Sequence, residues 1–182
     1  MPGTLKDGIY YPSVTEIISS VLTKGPKFEA WLGAVGNAKA ADIKNKKAAI
    51  GTKIHKEIQS ALEGCKCSRK CRKFVDFMLA THGNDYISEK QFFSDKGFCG
   101  TPDLIFTPSG LLIDFKTGAI RKQHEAQMSG YINLLNDNGI EIKKCEIWHL
   151  SPDYTVSVLP VCPPLTLFLN ILEIYKWMNR DV

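Results

Sequence analysis

The sequence predicts an α/β protein: a mixed central sheet flanked by helices, behind a mainly helical first half. Two observations carry this. Apolar residues recur at helical spacing through residues 1–84, and runs with period two take over in residues 85–182. The second half also alternates three strands, a helix, two strands and a helix, an order that buries its apolar faces in a layered α/β arrangement. With 182 residues and a hydrophobic fraction of 44%, a single domain with a substantial core is expected.

Each element has a local reason. Ser13 is a candidate N-cap, and Glu16 stands three residues on, as in a capping box, ahead of the run "VTEIISSVL". Gly25-Pro26 breaks that helix. A second helix is expected over about 27–47, with Phe28, Trp31 and Leu32 at helical spacing, and a third over 50–62, with Ile54, Ile58 and Leu62 on one stripe. A fourth, over 70–80, carries Phe74, Phe77 and Met78. "DYISEKQFF", "FCGTPDLIF" and "GLLIDFKTG" then read as three consecutive strands. "HEAQMSGYINLLND" reads as an amphipathic helix stopped at Asn138-Gly139. "KKCEIWHLSP" and "YTVSVLPV" read as strands, and "LTLFLNILEIYKWMN" as a closing helix.

Charge excludes little. Lys+Arg is 23 against 19 Asp+Glu, a net +4. Its clustering says more: basic residues concentrate between Lys44 and Lys56, and in "CKCSRKCRK" at Lys66, Arg69, Lys70, Arg72 and Lys73. Such runs are either solvated helix faces or surfaces for an anionic partner. The opening "MPGTLKDGIYYPS" lacks the charged start and apolar run of a secretory signal, and no apolar span reaches membrane length. A cytoplasmic, non-secreted protein of a prokaryotic or virus-infected cell, with its six cysteines reduced, is the expectation. Cys65, Cys67 and Cys71 form C-x-C-x3-C, which fits zinc spacing poorly.

The chemistry concentrates in "GTPDLIFTPSGLLIDFKTG". Asp103 and Asp114 are equidistant from the centre of the turn Thr107–Gly110. If that loop is even-numbered, they oppose each other across the hairpin with Cβ atoms about 4.5–5.5 Å apart. Like charges that close repel, and a divalent cation between them removes the objection. Asp114 and Lys116 share a face, while Ile113 and Phe115 take the other. A carboxylate pair with an ammonium beside it is suited to phosphate chemistry, and equally to a surface salt bridge.

These residues resemble the metal-binding core of the PD-(D/E)XK nuclease superfamily, with Asp103 as the first acid and Asp114-Phe115-Lys116 as the D-x-K. More closely the chain is similar to RecB-type exonucleases and to mitochondrial genome maintenance exonucleases. The "PSVT" at Pro12–Thr15, a G-T-x-x-H of Gly51, Thr52 and His55, and a Q-x-x-x-Y of Gln127 and Tyr131 follow that pattern in order.

The resemblance implies a restriction-endonuclease-like core. It implies an Mg²⁺- or Mn²⁺-dependent deoxyribonuclease binding one or two ions. His55, Glu89, Asp103, Asp114 and the Phe115 carbonyl would be metal ligands. Lys116 would assist the nucleophile, and Gln127 and Tyr131 would sit beside the metal and hold the scissile strand. Glu57, two positions after His55, falls on nearly the opposite side of the helix and is left out. Lys46, Lys47, Lys53 and Lys56, with Tyr131, are the expected DNA contacts, on helices that would arch over the site. An exonuclease acting on single-stranded or end-frayed DNA in replication, recombination or repair is the leading expectation. A restriction-type or structure-specific endonuclease and a non-catalytic DNA-binding module are the alternatives.

Overall fold

Alternation along β7 (Leu111–Lys116) divides the molecule into two cores. Leu111, Ile113 and Phe115 face one apolar cluster and Leu112 faces the other, as successive side chains on a strand must. The computed structural model describes residues 3–22 and 26–180. β7 is central in a five-stranded sheet with β3 (Tyr86–Ser88), β6 (Leu104–Phe106), β8 (Lys144–Leu150) and β9 (Val156–Val161), in the order β3-β6-β7-β8-β9. Only β7 and β8 pair in parallel within this sheet. A parallel pair needs a crossover, and α5 (Lys122–Asp137) supplies it.

Helices cover both faces. On one side α5 packs with α1 (Val14–Val21) and α6 (Leu165–Met178); on the other lie α3 (Asn37–Leu62) and α4 (Arg69–His82), with α2 (Pro26–Val35) packed against α3. The fold is therefore α/β, a mixed sheet flanked by helices, as the order of elements predicted.

α5 is buried continuously from Ala126 to Leu135, and its polar residues there are put to structural use. Ser129 Oγ donates to the Pro164 carbonyl at 2.8 Å and accepts from the Phe168 N–H at 3.1 Å, while Asn133 Nδ2 donates to the Leu165 carbonyl at 2.8 Å. These bonds bind the start of α6 to the middle of α5. Gly130 sits where three helices meet: a Cβ there would lie 2.6 Å from Val14 Cγ1 and 2.9 Å from Phe168 Cδ2.

The expected boundaries need correction in four places. The first half is not only helical, because β1 (Thr4–Lys6) and β2 (Ile9–Tyr11) form a hairpin. Its turn is Asp7-Gly8, with φ of 50° and 78°, the left-handed pair a tight hairpin requires. The second and third helices divide at Gly36 (φ 81°) and not near residue 48, so residues 37–62 run as one helix. "DYISEKQFF" is two strands, β3 and β4 (Phe92–Ser94), parted at Glu89, whose φ of 48° ends the extended run. "FCGTPDLIF" is likewise β5 (Phe98–Gly100) and β6, parted at Thr101-Pro102, since proline cannot donate to the ladder. β4 and β5 form a separate two-stranded ribbon, a small excursion from the main sheet, and Cys99 of β5 also bridges to Ser13 in parallel.

Ser13 caps α1 by accepting from the Glu16 N–H at 3.1 Å, as expected. The Glu16 carboxylate turns to the Gly3 N–H and the Tyr10 hydroxyl, anchoring the first hairpin. The expected stripe of Phe28, Trp31 and Leu32 depends on the side chains of Phe28 and Trp31, which lie outside the described residues, as does Gly25.

Gly130→Ala is expected to overpack the α1–α5–α6 junction at a cost of about 1–3 kcal/mol, partly offset by about 1 kcal/mol of helix propensity. Urea denaturation should show a net loss of stability; a more stable variant would contradict this packing.

Candidate functional site

The site forms where the β4–β5 excursion leaves and rejoins the main sheet. The β3–β6 register ends at Ser88↔Leu104, and the β6–β7 register at Leu104↔Ile113. One step further along both ladders come Glu89, Asp103 and Asp114, three acids in a row across three strands. The loop Thr107–Gly110 is even-numbered, closed by the Gly110 N–H on the Thr107 carbonyl at 3.3 Å, so Asp103 and Asp114 are in the expected register. The Glu89 N–H donates to the Asp103 carbonyl at 3.2 Å and closes the neck of the excursion. Its left-handed backbone is the kind of local strain that persists when surrounding structure enforces it.

His55 comes from the opposite layer. Ile54, Ile58 and Ala61 bury the inner face of α3, and His55 beside them reaches the end of β7. Its Nε2 donates to the Phe115 carbonyl at 3.1 Å. Its Nδ1 faces Asp103 Oδ1 at 3.4 Å and Glu89 Oε1 at 3.8 Å. Donor atoms of His55, Glu89 and Asp103 all lie within 4.8 Å of one another, the one group of three or more such ligands among the described residues. Asp103 Oδ2 accepts the Phe115 N–H at 2.7 Å, which fixes the carboxylate against β7.

Asp114 takes other partners. Its Oδ1 accepts from Gln127 Nε2 at 3.1 Å, and that same Nε2 donates to Tyr131 Oη at 3.1 Å. Its fully buried Oδ2 is ion-paired with Lys116 Nζ at 2.5 Å. The expected metal ligands thus divide into two adjoining groups: His55, Glu89 and Asp103 converge, while Asp114 is held by Lys116 and Gln127. The Phe115 carbonyl is engaged by His55.

Burial opposes charge on His55, but the Asp103 and Glu89 carboxylates facing Nδ1 overcome it and hold the imidazolium up at about 10. Burial raises Asp114 to about 6, with Lys116 opposing and Asp103 adding to the rise. Burial, with Asp114 and Asp103 nearby, keeps the Tyr131 hydroxyl protonated well above its ordinary range.

These groups open on a cleft of about 600 Å³ lined by His55, Glu89, Asp103, Lys116, Gln127 and Tyr131, and also by Ser13, Thr15, Gly51 and Thr52. A Cβ at Gly51 would lie 2.9 Å from Thr117 Oγ1, so glycine lets α3 approach the end of β7 one turn before His55. Lys56 lines the cleft; Lys46, Lys47 and Lys53 do not, and Lys46 pairs with Asp42 at 2.9 Å. Residues 37–50 of α3, which carry Lys46 and Lys47, contribute nothing to the lining. Glu57 turns away, accepting from the Ser68 N–H and the Tyr154 hydroxyl, each at 2.6 Å. Gln59, Gln91 and Thr101 line the cleft without having been singled out. Gln59 was within reach of the sequence, being one helical turn beyond His55.

No protein-family model matches the chain, and no curated protein matches it significantly. Among solved structures, the fold is similar to the crystal structure of SSO0001, with a TM-score of 0.52 and 16% identity over 93% of this chain and 76% of that one. That likeness supports the α/β architecture.

Because its folded pKa is raised, His55 contributes stability that is complete below its ordinary value of 6.5 and is lost as pH rises through about 10. In metal-free protein, NMR titration should find the His55 ring still protonated at pH 8. A midpoint below pH 7 would contradict the arrangement around Nδ1.

Proposed function

We propose that the protein is a metal-dependent deoxyribonuclease of the PD-(D/E)XK kind, acting as an exonuclease on single-stranded or end-frayed DNA. One observation carries the reading: Ser13 and Thr15, Gly51, Thr52 and His55, Glu89 with Asp103 and Lys116, and Gln127 with Tyr131 are distant in sequence and line one cleft. A fold that used these residues only for packing has no reason to gather an imidazole, two carboxylates and an ammonium on one concave surface.

The donor set suits a divalent cation. An imidazole with hard carboxylate oxygens fits Mn²⁺ and, through the oxygens, Mg²⁺. His55, Glu89 and Asp103 would hold it. Asp114, whose buried Oδ2 is ion-paired with Lys116, and the Phe115 carbonyl are the remaining candidates. Such an ion supplies Lewis acidity at a phosphoryl oxygen and makes a nearby water more acidic.

The side chains of the chain itself do the positioning. Lys116 carries a positive charge at the cleft, where it orients the attacking water and stabilises the extra negative charge of the pentacoordinate phosphorus. Asp114 holds that ammonium in place, and Gln127 holds Asp114. The Tyr131 hydroxyl, neutral throughout the working pH range, contacts the strand without repelling it. Lys56 meets a phosphate at the cleft wall.

An endonuclease is the second reading, and the absence of residues 37–50 from the cleft lining favours it. A cleft that this stretch does not line takes no free-end requirement from it. Matched linear and circular single strands separate the two. The exonuclease reading expects progressive loss of the linear strand and survival of the circle; equal cutting of both selects the endonuclease.

Lys116→Ala is expected to reduce hydrolysis by about 10²–10³-fold, with Mn²⁺ binding and a cooperative unfolding transition retained but its midpoint lowered, because Asp114 loses its buried ion-pair partner. Hydrolysis at the wild-type rate would remove Lys116 from the chemistry.

A further inference from the structure

A second concavity, of about 680 Å³, lies along α3 beside the cleft. Thr52, Lys53, Lys56 and Ser60 line it from the helix, and Lys66 and Cys67 from the segment joining α3 to α4. Thr52 and Lys56 line the cleft as well, so the two concavities meet across one edge of the helix.

Its charge is unbalanced. Among the described residues, Lys53, Lys56 and Lys66 make no ion pair within 4.0 Å. Three lysines face one acid in the lining, Glu57, whose carboxylate accepts from the Ser68 N–H and the Tyr154 hydroxyl and is attracted by Lys53, so the lining keeps an excess of positive charge. Unpaired cations ranged along one groove favour a partner whose negative charge repeats. Lining positions Ala49 to Ser60 span about 17 Å of helix, long enough for successive phosphates and too long for one small anion. Among the described residues no aromatic ring lines the groove, and its lysines offer contacts to a backbone.

We propose that this groove is the track for a single DNA strand whose scissile linkage occupies the cleft. The strand crosses the Thr52–Lys56 edge of α3, and the phosphates beyond it lie against Lys53 and Lys66. Contacts of this kind position a strand without reading its sequence. The identity of the strand rests on the deoxyribonuclease reading; the groove and its charge do not.

Cys67 makes the track testable. It is half-buried in the groove, whereas Cys162 is exposed beside a different concavity and serves as internal reference. Labelling with N-ethylmaleimide, read by mass spectrometry without divalent metal, would compare single strands of about 4 and about 16 nucleotides. With each strand bound, as followed by fluorescence anisotropy, the longer one should slow labelling of Cys67 at least tenfold and leave Cys162 unchanged; the shorter should protect neither. The double variant Lys53→Glu, Lys66→Glu should lose the protection and lower the salt dependence of long-strand binding by roughly 1.4 in slope, about 0.7 for each phosphate contact. Lys66→Ala, a milder change at an exposed position, should lose about half that slope and guards against misfolding of the double variant.

A long strand that is bound yet leaves Cys67 labelling unchanged would overturn the track, whether or not it is cut. Protection of Cys67 without any hydrolysis in Mn²⁺ would uphold the track and overturn the nuclease reading. Failure of every strand to bind at low salt would overturn both.

Discussion

A carboxylate buried at the end of the central strand sets the terms for the rest of the structure. Asp114 is 1% exposed, and an ionised carboxylate taken out of water costs several kcal/mol unless it is paired. Lys116 answers it from the same face of β7, and Gln127 answers it from α5. Gln127 is in place only because α5 is buried along ten consecutive residues, and α5 can be buried because Gly130 admits α1 and α6. One charged group thus ties the register of a strand to the packing of three helices.

The second half of the site is assembled from the other layer. α3 delivers His55 to the Phe115 carbonyl, and the two strand breaks deliver Glu89 and Asp103 to His55. The β4–β5 excursion explains why those acids meet: they are the residues at which the chain leaves the main sheet and returns to it. The two groups of side chains adjoin only with both helical layers seated on β7. Coupling of this kind suits a site that needs rigid placement, because long side chains on loops alone lose precision.

Legibility followed locality. The opposition of Asp103 and Asp114 was readable because an even-numbered turn and strand alternation are short-range facts. The Gln127–Tyr131 pair was readable as one turn of helix, and here Asp114 and Tyr131 share a single donor, Gln127 Nε2. His55 was identifiable only through the resemblance, since a lone histidine on a helix carries no signal of its own. The break at Glu89 was hidden: "YISEKQFFS" has a strand's composition, and a left-handed glutamate leaves no mark in sequence. Other misses had signals that were present and underweighted, namely Asp7-Gly8 for the first hairpin, Gly36 for the end of α2 and Pro102 for the end of β5. The lysines of α3 were read as one patch, but helical rotation sorts them, placing Lys56 in the cleft, Lys53 in the neighbouring groove and Lys46 against Asp42.

The central claim is that the strand end, the excursion neck and α3 together present a divalent-cation site. Anomalous scattering at the manganese edge, from crystals grown with Mn²⁺, tests it most directly. The account predicts a peak between His55 Nδ1 and the carboxylates of Glu89 and Asp103, with metal–oxygen and metal–nitrogen distances of about 2.0–2.3 Å. A peak elsewhere on the molecule, or none at a Mn²⁺ concentration that saturates ordinary carboxylate sites, would contradict it.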